Sequence, residues 1–260
     1  DIVFTYWVTL DGGATWHEIN TPAPVNRQSS LQALDARTFV EVSHPVYADG
    51  QGGLPMDLAW THDGGASWEQ VLRLDAQHPT AGALAYGQSM SSPTFVDDRH
   101  GWALTNLPSR PGADAAPRAG PPDVVRTDDG GRTWTAATLP GATLSQGYSG
   151  PVFPGGGRHG YVIGYSPSGL LIFESMDGGA SWLEPYAANV SWFAAAPDRW
   201  LANDGVDVLT SRDWGRTWAH LSPRLPAGSA GLGLLQVSGG MVWSTFQNRG
   251  AVELLRSSDG

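Results

Sequence analysis

The sequence predicts an all-β fold, a β-propeller of four-stranded antiparallel blades. Three observations carry that expectation. With 34 Gly and 19 Pro among 260 residues, the chain is interrupted too often for long helices and suits many short strands. An eight-residue turn motif recurs from one end of the chain to the other. The copies stand 52, 66, 48, 36 and 46 residues apart, room for about four short strands each and too irregular for a solenoid of fixed rungs.

The first copy is Thr9-Leu10-Asp11-Gly12-Gly13-Ala14-Thr15-Trp16, and the second is Thr61-His62-Asp63-Gly64-Gly65-Ala66-Ser67-Trp68. The third is Thr127-Asp128-Asp129-Gly130-Gly131-Arg132-Thr133-Trp134, and the fourth is Ser175-Met176-Asp177-Gly178-Gly179-Ala180-Ser181-Trp182. The fifth, Ser211-Arg212-Asp213-Trp214-Gly215-Arg216-Thr217-Trp218, puts Trp214 in place of the first glycine, and a sixth begins at Ser257-Ser258-Asp259-Gly260. Each complete copy lies between alternating apolar runs, so it reads as a hairpin turn. The Asp carboxylate is expected to accept hydrogen bonds from turn N–H groups and from the following hydroxyl. The second glycine is present in all five complete copies, as a position with φ > 0 requires. The closing tryptophan is expected to fold over the hairpin into the core, so Trp16, Trp68, Trp134, Trp182 and Trp218 are assigned structural roles. Asp11, Asp63, Asp129, Asp177 and Asp213 are likewise assigned to the turns and not to catalysis.

These octapeptides resemble the Asp-box, or BNR repeat, of sialidases, xyloglucan-active glycoside hydrolases, sortilin-type receptor ectodomains and the photosystem II assembly factors with their bacterial relatives. The resemblance implies a propeller along the whole chain, but the box is a structural turn shared by enzymes and non-enzymes. A second element, Phe95-Val96-Asp97-Asp98-Arg99-His100-Gly101-Trp102, resembles one found in the assembly-factor group, and Phe153 to Val162 is a looser copy.

Each box is expected to join the third and fourth strands of a blade. Residues 2–20 then supply the last two strands of one blade. Residues 29–74, 89–139, 147–187 and 188–222 supply four full blades, and 231–259 supply three strands of a further one. About six blades are represented in a single domain spanning 1–260. We expect this to be a piece of a six- or seven-bladed parent. Strand parity puts the boxes on one face and the long connections, 44–56, 75–88, 106–123, 140–147 and 223–231, on the other. The second face is the expected working face.

Composition narrows function further. The net charge is -10, all fifteen cations are Arg, and no basic run exists, which makes a nucleic-acid partner a poor fit. Cys is absent, so disulfides, thiolate metal sites and a Cys nucleophile are excluded. None of the seven His forms a metal-binding pair, and neither a metal nor a cofactor is expected. No apolar run is long enough to span a membrane. The expected partner is a protein or a carbohydrate, and the expected location is secreted, periplasmic or cell-surface, with any signal or anchor outside this stretch.

Arg27, Arg110, Arg118 and Arg249 lie in or near the long loops and are candidates for binding an anionic or hydroxylated ligand. Tyr47 joins them. Trp192, on an expected innermost strand, could face the central channel as a stacking surface. Sialidase-like chemistry would need an Arg cluster, an Asp acid/base and a Tyr–Glu nucleophile pair. Endoglucanase-like chemistry would need two carboxylates about 5–9.5 Å apart. No spacing in the sequence pairs such groups, so the expectation is a non-catalytic binding scaffold. A glycoside hydrolase is the alternative.

Overall fold

The computed structural model describes residues 5–9, 11, 13–22, 27–45, 55–88, 90–105, 123–142, 147–166, 169–188, 190, 192–195, 199–203, 208–220, 230–238, 241–248 and 251–257. Among them there is no helix, and the strands form separate antiparallel sheets that follow one another along the chain. The first pairs β1 (Tyr6–Val8) with β2 (His17–Ile19). The second runs in order through β3 (Arg27–Ala33), β4 (Phe39–Pro45), β5 (Met56–Thr61) and β6 (Glu69–Leu74). A small hairpin, β7 (Thr80–Ala81) and β8 (Leu84–Ala85), separates it from the third sheet. That sheet holds β9 (Thr94–Phe95), β10 (Gly101–Thr105), β11 (Asp123–Thr127) and β12 (Thr135–Thr138). The fourth is β13 (Gly147–Val152), β14 (Gly160–Ser166), β15 (Gly169–Ser175) and β16 (Tyr186–Ala188). The fifth is β17 (Trp192–Ala195), β18 (Trp200–Asn203), β19 (Val208–Ser211) and β20 (Ala219–His220). The last joins β21 (Ala230–Ser238), β22 (Met241–Asn248) and β23 (Ala251–Ser257). Sequential four-stranded meanders packed side by side are the blades of a β-propeller.

The core lies between sheets, not within them. Val40, Leu58, Trp60 and Leu72 of the second sheet pack against Phe95, Ala103, Val125 and Trp134 of the third. Trp102, Leu104 and Val124 of the third meet Phe153, Val162, Phe173 and Trp182 on the fourth side. Tyr161, Ile172 and Ala188 then meet Phe193, Trp200 and Leu209 of the fifth. A propeller sheet is covered on both faces by its neighbours, which is why β10 reads Gly-Trp-Ala-Leu-Thr with every residue buried.

Two expectations are corrected here. Trp134 and Trp182 are buried, but Trp16 is 56% exposed and Trp68 and Trp218 are only partly covered, so the closing tryptophan is not always core. Its burial depends on what lies across it. Trp134 is overlaid by the connection 75–88: Ala83 donates its N–H to the Trp134 carbonyl at 2.7 Å, and Leu84 is buried in the same cluster. That connection therefore reaches back to the box end of the neighbouring sheet. It is a wedge between two sheets, not a free loop on the opposite face.

Candidate functional site

The box turns share one bonding pattern. In all five complete copies, Asp11, Asp63, Asp129, Asp177 and Asp213 accept the N–H four residues on through Oδ1 at 2.9 Å. Their Oδ2 accepts the hydroxyl of that same residue at 2.5–2.6 Å. The Ser or Thr two residues before the Asp donates to Oδ1 and accepts the N–H of the second glycine, as Thr127 does for Asp129 and Gly131 at 2.8 Å each. These bonds hold the carboxylates ionised. Asp11 is lowered to about 2, first by the Thr15 hydroxyl and then by the Thr15 N–H. At Asp129, desolvation is the largest single influence and acts upward, yet the bonds from Thr133 and Thr127 together outweigh it. A carboxylate engaged in this way is a turn-former, not a proton donor near neutrality.

The second glycine is required twice over. At Gly131 φ is 93°, a left-handed backbone, and an added Cβ would stand 3.0 Å from the Leu58 side chain of the preceding sheet. The position before it makes the joints between sheets. Its N–H donates to the first hairpin of its own sheet, as from Gly130 to the Arg99 carbonyl at 2.9 Å. Its carbonyl accepts from an aromatic of the preceding sheet. Trp60 donates to Gly130 at 2.9 Å, Trp102 donates to Gly178 at 2.8 Å, and the Tyr186 hydroxyl donates to Trp214.

Two of these joints carry concentrated chemistry on the box face. Between the fourth and fifth sheets, buried Glu174 accepts His159 Nε2 at 2.5 Å through Oε1 and Arg216 through Oε2. Arg216 also lies over the Tyr186 ring at 4.8 Å. Burial first, and then the Glu174 carboxylate, push the Tyr186 phenol up. This brings together the residue types of a Tyr–Glu nucleophile pair. Yet the phenol is held protonated and donates to a backbone carbonyl, so it acts as a clamp. Trp214 sits in this cluster with φ 63°, the one non-glycine in the left-handed region among the described residues.

Between the second and third sheets, a cleft of about 360 Å³ opens among Trp60, His62, Glu69, Asp98, Arg99, Asp129 and Arg132. Arg132 reaches back to Glu69 at 2.5 Å. Trp60 and His62 stack with planes 3° apart. The sequence reading did not select this cleft. Its one legible signal is Arg at the sixth box position in the third and fifth copies, where the others have Ala.

The ligand-binding candidates chosen from sequence fall outside the described residues or have side chains outside them. Tyr47, Arg110, Arg118 and Arg249 lie outside those residues. Arg27 pairs with Pro45 in β3–β4, and Trp192 pairs with Asn203 in β17–β18, with their side chains outside the described set. Asp75 is fixed by the His78 and Gln77 N–H groups and by Arg73, and the His78 N–H leads in lowering it to about 2. Among the described residues, no three His, Asp or Glu converge as a metal site. Among the described residues no helix is long and apolar enough to cross a membrane.

No known family profile matches the chain, and no curated protein matches it in sequence. Solved propeller structures do resemble it. An α-L-arabinofuranosidase of Fusarium graminearum, in complex with an iminosugar inhibitor, is 12% identical with a TM-score of 0.50, over 97% of this chain and 83% of that one. The GH74 enzyme of Niastella koreensis is 15% identical with a TM-score of 0.44, over 88% of this chain. The chain spans only 36% of that enzyme's length. YCF48 from Cyanidioschyzon merolae is 17% identical with a TM-score of 0.44, over 93% of this chain and 75% of that one. At these identities the likeness is one of fold.

Proposed function

We propose that the chain is an extracytoplasmic propeller acting as a non-catalytic scaffold that binds a protein or a glycan. The observation that supports this reading is the state of the repeated acids. The five box carboxylates are engaged in their own turns, and Glu174 is engaged by Arg216 and His159. The repeated acids thus build a rigid frame, on which recognition rests with the residues that vary from blade to blade. The location rests on the resemblance of the turn motif to the Asp-box families.

The test is to incubate the folded protein with a mixed panel of sialosides, arabinosides and β-glucan oligosaccharides, following product release by mass spectrometry and binding by calorimetry. Binding without product is the expected result for a glycan ligand. Binding of a protein captured from the native host's extracytoplasmic fraction is the expected result otherwise. Hydrolysis would overturn the reading in favour of a glycoside hydrolase, and recovery of the native protein solely from the cytosol would overturn the location.

A further inference from the structure

The turn position held by Gly130 in the third box is held by Trp214 in the fifth, with similar backbone φ of 73° and 63°. Each offers its carbonyl to an aromatic of the preceding sheet. At the fifth box the side chain at this position covers the joint. The Trp214 ring lies on His159, centroids 3.4 Å apart, and edge-on to Trp200 at 5.6 Å. At the third box there is no side chain, and the cleft beside Trp60 and His62 stands open. Its volume of about 360 Å³ lies within the range of ligand pockets, about 300–1,000 Å³.

We propose that this cleft receives an aromatic side chain carried on a cationic segment of a partner protein. The proposal rests on the protein-binding side of the reading above and names its site and partner chemistry. The filled joint shows the kind of group that fits, an indole tilted 38° against an imidazole, and here an imidazole, that of His62, stands stacked on Trp60 at the cleft. Charge supplies the rest. Arg132 is matched by Glu69, and Asp129 is tied into its turn. Asp98 has no ionic partner among the described residues, and the Arg99 guanidinium gives a single bond, Nε to the Asp128 carbonyl at 3.4 Å. Three acids against two arginines line the cleft of a chain whose net charge is -10, and both fields draw a cationic partner.

The experiment is an NMR titration of the full 15N-labelled chain with N-acetyl-Trp-Arg-amide, N-acetyl-Trp-Glu-amide and methyl β-glucoside. The Trp-Arg probe is expected to shift the Trp60 indole and Arg132 signals saturably. Binding should weaken in high salt and be about tenfold tighter than for Trp-Glu. Gly130→Trp should plug the cleft and abolish those shifts. An added Cβ there would stand 2.7 Å from the Asp98 carbonyl oxygen, so a failure of that variant to fold is foreseen. His62→Ala and Asp98→Asn change exposed side chains and should each weaken the Trp-Arg probe about tenfold at unchanged thermal stability. Absence of shifts at the cleft, equal affinity for the two dipeptides, or cleft shifts from the glucoside alone would each overturn the proposal. Dipeptide binding with shifts elsewhere would also overturn the cleft assignment while leaving the scaffold reading standing.

Discussion

Trp102 of β10 donates its indole N–H to the carbonyl of Gly178, 2.8 Å away and 76 residues further along the chain, and so ties one sheet to the turn of the next. The same ring stacks on Phe153 with centroids 3.9 Å apart. Trp102→Phe keeps a ring in the layer but leaves the Gly178 carbonyl unmet. It should cost about 1–2 kcal/mol in equilibrium denaturation, against about 3–5 for Trp102→Ala. Equal losses from the two variants would show that the bond contributes nothing.

The closing tryptophans divide by burial. Trp134 is 1% exposed and bonded through its indole to Gly131, so Trp134→Ala should lose about 3–5 kcal/mol. Trp16 is 56% exposed, and Trp16→Ala should stay within about 1 kcal/mol of the parent. Urea midpoints of the two variants check this, and comparable losses would contradict the burial argument.

Trp214 sets strain against contact. A left-handed non-glycine residue costs about 1–2 kcal/mol, while its ring contacts with His159 and Trp200 contribute about 0.5–1.5 kcal/mol each beyond burial. The contacts win narrowly, so Trp214→Gly should destabilise by about 1 kcal/mol or less. A gain in stability would mean that the ring is carried against the fold's interest.

Acid should loosen the turns together. Asp11 sits at about 2 against an ordinary 3.8, and Asp63, Asp129, Asp177 and Asp213 are lowered in the same direction. Depressed carboxylates bind fewer protons in the folded state. Their contribution is therefore complete above about pH 4 and drains away as pH falls toward 2. The denaturant midpoint should drop steeply across that window. A flat midpoint there would exclude the turn carboxylates as a source of stability.

The strand count of each sheet was legible because the box marks one hairpin per blade and the spacing between boxes bounds the remaining strands. The bonds of Asp129 and Thr133 were legible for the same reason: they lie within eight residues and follow from turn chemistry. The joints were not. Nothing local to Trp60 or Tyr186 says that its polar atom meets a carbonyl 70 or 28 residues away. Nor does anything at Gly130 say that the space beside it stays open while Trp214 covers the matching place. Parity misplaced the 75–88 connection because strand direction fixes where a linker starts, and only packing fixes where it rests.

In three of the ties between sheets the acceptor is a main-chain oxygen of the turn, whereas the donor is a side chain drawn from β5 in one joint, β10 in another and β16 in a third. No substitution at the turn can delete that oxygen. Any neighbouring position whose indole or phenol reaches it can supply the donor. At these three joints the donor can therefore change between indole and phenol without a matching change in the turn. At these joints the backbone supplies one fixed half of the tie, while side-chain packing between the sheets supplies the rest of the cohesion.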